Sequence, residues 1–559
     1  MKRWLPLLVA LMVVLAGCAG LPTSGEPEQT ARPANPAGGV ILDPQGPTPG
    51  STPENLVTDF LRASGAGLSA DFTVARQFLT PEAAARWNPT TELRVYQDSQ
   101  NPAISQTRNG AVRVSATAAG TLDVRGRYSV ATPDAIINAE YSLVKSPEGE
   151  WRIGALDDGI VIPNSIFVSL YTETLLYFLT PDREAFVPEA RWYLNSGQAT
   201  YAVDGLLQGP SSWLSPGVYS ALPADATLTG RGVTVSDGVA QVDLSSDVAS
   251  LQGSELITLE AQISKTLMNV PGIQSVVLTS EGAALDMPSK MDVSSYPYAT
   301  YSLSGLSGGI PAQISGGDVM PISPEGVEGL NLTAIAPSYS EPATWAAALG
   351  NGGATIYGVS FVGSPAFALY EGSQLVAPSM DSHGWVWSGE RTSTGELVGV
   401  HLETGEQLTF HLSWLEGLNV RDIAVSREGA RMAIVTDQGG EVQINAVAIA
   451  RDAAGTPREI GNPIRFGQSL VDVTDVAWVS EVRVAAVARN QGTSTSGIHL
   501  VGLGVPAVPL AAVDNLVSLT AGRGVDSIVI QNDENNLFSY DGAGWRLVTE
   551  GVTSPAFPG

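Results

Sequence analysis

Few residues of this 559-residue chain stand in patterns that could do chemistry, and each pattern requires a particular local structure. Gly305-Leu306-Ser307-Gly308-Gly309 matches G-x-S-x-G. Such a serine becomes a nucleophile when a strand leads into it, a helix leads out, and an acid and a histidine follow. The chain after Gly309 is rich in Gly and Pro and predicts no helix, so the motif reads as a linker loop. Ser142-Leu143-Val144-Lys145 matches S-x-x-K, but alternating polar and apolar residues there predict a strand. Residues three apart on a strand point to opposite faces, so the lysine cannot activate the serine. His383, His401, His411 and His499 show no H-E-x-x-H spacing. Asp243 ends a predicted strand and reads as a turn or cap residue, and Asp533-Glu534-Asn535-Asn536 reads as a turn. Neither a Walker A nor a dinucleotide fingerprint is present. The expectation is no catalytic residue, no metal and no cofactor.

Cys18 is the sole cysteine, so no intramolecular disulfide can form. Lys2 and Arg3 precede an apolar run from Trp4 to Leu15, as in an export signal. The run is shorter than the ~20 residues a transmembrane helix needs. It ends in Leu15-Ala16-Gly17-Cys18, which resembles the bacterial lipobox. The resemblance implies cleavage between Gly17 and Cys18, diacylglycerol on the Cys18 sulfur and acylation of the new amine. Two or three acyl chains anchor stably where one does not. The expected location is the extracytoplasmic face of the cell membrane, with residues 1–17 as signal peptide. Residues 18–52 are polar and Pro-rich, bury too little to fold, and read as a tether.

The formal net charge of −27 repels phosphate backbones and excludes nucleic acid as a partner. The 60 glycines and 36 prolines favour turns and strands over long helices. In residues 53–164, Ser51-Thr52-Pro53-Glu54 and Thr80-Pro81-Glu82 each start a helix, with Ser51 and Glu54 spaced as a capping box. The period then changes to two, at Leu93 and Val95, Val112 and Val114, Leu122 and Val124, Tyr141 and Leu143, and Trp151 and Ile153. Helices followed by a meander predict an α+β domain. Its order resembles the nuclear-transport-factor-2-like cone.

Residues 165–290 predict a second α+β unit. Asp237-Gly238 lies between alternating runs, a hairpin signal. Leu256, Leu259, Ile263 and Leu267 recur at helical spacing, and Ser275 to Thr279 forms a closing strand. With Val203-Asp204-Gly205-Leu206-Leu207-Gln208-Gly209-Pro210 and Gly232 to Ser245, this segment is similar to GerMN domains, which implies a role in assembly or binding.

Residues 295–559 carry a repeat of strand, polar turn and strand. It ends its first strand at Ser338, Ser379, Ser426, Ser480 and Thr520. A period of about 40–50 residues predicts propeller blades, about six for this length. Trp385, Trp387, Trp414, Trp478 and Trp545 read as core between blades rather than a ligand surface.

The fold class expected is therefore multidomain: an α+β N-terminal domain, an α+β GerMN-like domain and an all-β propeller. Lipobox, tether and these modules, in this order, resemble the LpqB lipoprotein family. So do the segments Ala377 to Trp387 and Ile423 to Ala433. The resemblance implies a non-enzymatic accessory lipoprotein that binds the extracytoplasmic domain of a sensor histidine kinase. That kinase would be MtrB of the MtrA–MtrB system, affecting the cell envelope and division. Wall material is a further partner open to the propeller. The alternative is an envelope hydrolase or wall-carbohydrate-binding propeller, which a concerted acid, base and nucleophile in the central channel would favour.

Overall fold

The computed structural model describes residues 45–558, apart from 69–70, 286–301, 323–324, 341–342, 393, 492, 494 and 514. Gly17 and Cys18, the expected cleavage and lipidation site, lie outside the described residues.

The N-terminal module opens with α1 (Pro53–Gly67), followed by α2 (Thr73–Arg76) and α3 (Pro81–Arg86). Thr52, not Ser51, caps α1: its Oγ1 accepts the Asn55 amide at 3.3 Å, while the Ser51 hydroxyl turns back to the Thr48 carbonyl. Pro53 takes the first helical position, which moves the cap one residue along from the expected box. Leu56, Val57 and Phe60 bury one face of α1 against a curved sheet. Its strands are β1 (Glu92–Tyr96), β2 (Ala103–Gln106), β3 (Val112–Asp123), β4 (Tyr128–Val130), β5 (Ile136–Lys145), β6 (Trp151–Ala155) and β7 (Ile160–Pro163). The order is β6-β5-β3-β1-β7, with β2 and β4 also pairing β3. The two short apolar runs near 112 and 122 are opposite ends of β3, one 12-residue strand.

The middle module begins with α4 (Asn164–Leu170) and a long hairpin, β8 (Tyr171–Leu179) and β9 (Phe186–Leu194). Then come α5 (Gln198–Leu207), β10 (Thr234–Ser236), β11 (Val239–Leu244), α6 (Ser254–Leu267), β12 (Ser275–Ser280) and β13 (Ala283–Ala284). Asp237 and Gly238 both have positive φ, 51° and 77°, which turns β10 into β11 as a primed hairpin turn requires. Leu256, Leu259, Ile263 and Leu267 form the buried stripe of α6.

The C-terminal region is a propeller with six sheets among the described residues. Blades 2 to 6 are consecutive antiparallel meanders spanning 334–371, 379–411, 419–460, 470–509 and 516–549. The five sequence repeats fall on the inner two strands of these blades. Blade 1 is different. Its strands Leu303–Ser307, Ile310–Ser315 and Asp318–Pro321 are completed by Val552–Ala556 from the far end of the chain. The G-x-S-x-G motif is therefore not a linker loop. Ser307 ends a strand, and Gly308 and Gly309, at φ 59° and 79°, turn it directly into the next strand. Glycine-rich sequence reads as loop locally, but this one gains a ladder from a strand hundreds of residues away.

Backbone-to-side-chain bonds link the inner strands from blade to blade. Ser554 Oγ accepts from Ile335 N, Ser379 Oγ from Val425 N, Asp422 Oδ2 from Val476 N, and Asp475 Oδ2 from Leu519 N. Thr520 Oγ1 accepts from Phe557 N, which ties blade 6 to the closing strand.

Candidate functional site

The sequence patterns with chemical potential come apart in three dimensions. Ser307 sits in a hairpin without the strand-to-helix elbow that exposes a nucleophile. Ser142 and Lys145 lie on β5, where Lys145 rests over the Trp151 ring at 5.1 Å. Asp243 accepts from Thr229 Oγ1, from Thr279 Oγ1 at 2.6 Å and from Gly282 N at 2.7 Å. These bonds hold its carboxyl below the usual range and make it a clasp between β11, β12 and the following turn. Trp385, Trp387 and Trp478 are buried among the blades, while Trp414 and Trp545 are half-buried. His411 is exposed beside Glu396, and His499 is buried, which pushes its imidazole below the ordinary value. Among the described residues no group of three or more His, Cys, Asp or Glu could hold a metal ion.

On the inner strands of the propeller, Asp422 and Asp475 form a buried, mutually hydrogen-bonded pair. Burial pushes both carboxyls up, and the neighbouring Asp422 pushes Asp475 further. Both are spent as acceptors for the next blade's amides.

What the fold does bring together is one end of the propeller and the other two modules. Blades 3, 4 and 5 present their first turns to the middle module. His383 Nε2 lies 3.0 Å from Asp182 Oδ2. Arg431, 2% exposed, donates from Nε to Glu428 at 2.6 Å and from Nη1 to the Pro188 carbonyl at 3.3 Å, and it stacks over Trp478. The Tyr177 hydroxyl donates to Glu481 at 2.7 Å, and burial raises that phenol. Arg483 grips Glu173 with both Nη atoms, at 3.0 and 2.5 Å. Between these bonds the contact is apolar. One cluster runs without a break from Leu176, Phe178 and Leu214 to Ala430, Trp478 and Val484. At Gly217 the backbones come so close that a Cβ would stand 3.0 Å from the Ala430 carbonyl oxygen, so only glycine fits undisturbed.

The N-terminal module joins the same junction. Tyr128 stacks on Phe167 at 4.8 Å, and Phe167 packs on Trp192 at 5.0 Å. Trp192 Nε1 then donates to the Gly504 carbonyl of blade 5 at 3.0 Å. Arg191, fully buried, pairs with Glu189 at 2.7 Å and donates to the Arg125 carbonyl at 2.8 Å. A cleft of about 410 Å³ remains where the three modules meet, lined by Tyr128, Glu189, Trp213, Arg431, Phe466 and Trp478. The sequence carries a hint only at His383 and Arg431, which lie inside the two propeller segments already noted. Asp182, Glu173, Tyr177 and Glu481 sit in no motif.

The three modules are thus held together by apolar packing, aromatic contacts and partly buried ion pairs. No helix among the described residues is long and apolar enough to cross a membrane. Residues 46–168 match the family model for the N-terminal domain of lipoprotein LpqB. Residues 175–286 match a model described as sporulation and spore germination, and 312–558 match the LpqB β-propeller domain. Lipoprotein LpqB of Thermobifida fusca is 25% identical, over 98% of this chain and 97% of its own length. That of Cutibacterium acnes is 26% identical over 98% of both. That of Nocardia farcinica is 27% identical over 84% of this chain and 83% of its own. The family name implies a membrane-anchored protein. With its N-terminal and propeller domains both matched in order, and relatives of that name aligned over nearly its whole length, the chain is similar to LpqB lipoproteins throughout.

Proposed function

We propose that the protein is held by lipid on Cys18 at the extracytoplasmic face of the membrane, where it binds and modulates a sensor histidine kinase of the MtrB kind. It acts there without turnover of a substrate. The observation that carries this reading is the fusion of three modules through an apolar junction, with partly buried ion pairs between the middle module and the propeller. A body joined in this way passes a contact on the propeller to the module nearest the tether. The last tether residues already lie on that module, where Gly50 N donates to Glu150 at 2.8 Å. Anchoring in the kinase's own membrane raises the effective concentration, so a weak interface suffices. Against hydrolysis stands the use of Asp422 and Asp475 as amide acceptors and of Ser307 as a hairpin residue.

The test is photo-crosslinking in cells with the protein correctly anchored. Crosslinkers placed in 53–290 are expected to trap the kinase more than those in 330–550. Failure of both sets to trap any kinase overturns the reading.

A further inference from the structure

A second cleft, of about 510 Å³, opens between the N-terminal and middle modules, and the residues lining it come from those two modules alone. One wall is a single face of α5 and its C-cap: Tyr201, Asp204 and the capping Gln208, spaced three and four residues apart, all line it. Phe72, Tyr171 and Trp192 supply aromatic surface from the other elements, and Tyr193 stacks on Tyr201 at 5.8 Å. The lining contains four carboxylates and no Lys, Arg or His.

Three of those carboxylates already have work. Asp71 caps Thr73 through its amide and hydroxyl, at 3.0 and 2.5 Å. Asp123 holds Arg127 at 2.6 Å and the Arg125 amide at 2.9 Å. Glu92 lies 3.8 Å from Arg94. Asp204 stands apart: it is half-buried, and its carboxyl has neither a hydrogen-bond nor an ion-pair partner among the described residues. Burial with nothing to offset it pushes that carboxyl above the usual range. A half-buried carboxylate without a partner costs stability. Packing does not need it, because Val203, Leu206 and Ala202 supply the buried face of the helix. A carboxylate set among ring faces is what an organic cation requires: a counter-charge at the head and cation–π and apolar contact along the stem.

We propose that this cleft binds an ammonium or guanidinium group carried on an apolar stem, with Asp204 as counter-ion and Tyr201, Tyr171 and Trp192 against the stem. The site is independent of which protein the lipoprotein contacts. The cation comes either as a free small amine or as a basic side chain of a peptide segment, and the chemistry is the same.

The test is isothermal titration of the full-length protein in detergent with three probes: phenethylammonium, the neutral phenethyl alcohol, and a capped peptide carrying one arginine between two phenylalanines. The ammonium is expected to bind at least about tenfold more tightly than the alcohol. Asp204→Asn should weaken both cations by about tenfold and leave the alcohol unchanged. Tyr201→Ala should weaken all three probes. Thermal unfolding of each variant verifies that it is folded. Affinity for the cations should rise with pH through the Asp204 titration, because the ionised carboxylate is the binding form. A peptide tighter than the amine assigns the cation to a protein segment, and the reverse order assigns it to a free amine. Equal binding of alcohol and ammonium, an Asp204→Asn variant that binds cations as before, or no cation binding up to on the order of 10 mM overturns the proposal.

Discussion

His383 Nε2, on the first turn of blade 3, lies 3.0 Å from Asp182 Oδ2 of the middle module, across 201 residues of sequence. Burial alone would raise the Asp182 carboxyl. Hydrogen bonds from His383, Thr180 and the Glu184 amide outweigh it and hold the group at about 2, against 3.8 unperturbed. A depressed carboxyl stabilises the fold above its unfolded value and loses that contribution as pH falls through the folded one. Acid is therefore expected to weaken the hydrogen bonds that Asp182 accepts, the His383 contact among them, between about pH 4 and pH 2. Hydrogen exchange of β8 and β9 measured down that range checks it. Asp182→Asn should remove the acid-dependent step, and an unchanged profile in that variant contradicts the assignment.

Asp381 is the hub of a buried network in the same blade. It accepts from His383 N at 2.9 Å, Trp385 N at 3.0 Å, Trp387 Nε1 at 2.8 Å and the Arg451 guanidinium. Arg451 also donates to the Gly429 and Gly455 carbonyls, both at 2.8 Å. Asp381→Ala leaves a buried guanidinium without its counter-ion, at a cost of about 3–5 kcal/mol. Denaturant titration should show that loss. A change below about 1 kcal/mol would mean that water reaches Arg451.

Asp422 and Asp475 give the opposite pH signature. Their carboxyls are raised in the folded state, so their contribution is full below the unfolded value and falls as pH rises through the folded ones. Asp475→Asn keeps the acceptor for Leu519 N and removes the charge. The variant should match the wild type in acid and become relatively more stable as pH rises toward neutral. Thermal unfolding at pH 4 and pH 7 reads the difference, and a variant less stable at both values refutes it.

The passage from the middle module to blade 1 opens a Ser-, Gly- and Pro-rich stretch, Met287 to Pro324, that by composition reads as a place to divide the chain. The apolar junction argues against two self-sufficient halves. Cutting there leaves Leu176, Phe178 and Leu214 on one piece and Trp478, Val484 and Ala430 on the other, all exposed. Each piece alone is expected to bind a hydrophobic dye and to unfold at lower temperature than the intact chain. Mixing the pieces should restore association. Two dye-free, thermally unchanged halves would show the junction to be weak.

Much of the architecture was legible because it is local. Alternation at Leu93 and Val95 or at Trp151 and Ile153 marks strands. The five repeats mark inner strands because each blade buries the same two rows. Blade 1 escaped because its innermost strand, Val552–Ala556, follows a single short pattern with no neighbour in sequence. The junction escaped for a related reason. Burial of Phe178 or Trp478 is visible as apolar periodicity, but periodicity does not say what lies opposite. Pairs such as Glu173 with Arg483, 310 residues apart, leave no spacing to read. Asp204 lies within the Val203-to-Pro210 pattern, and only the folded neighbourhood reveals that no cation among the described residues pairs with it.

The closing strand carries a consequence for biogenesis. Thr553 reaches back to Leu306 over 247 residues, and the ring has no complete first blade until that segment arrives. Such a long loop must close before its contacts contribute, which makes the step slow. During synthesis the earlier blades would emerge as an open arc with unpaired edges at both ends. Residues 552–556 then act as a latch that completes the circle only once they have emerged. A chaperone that shields strand edges would find its substrate in that interval, and the interval ends with Ala556 pairing to Ser304.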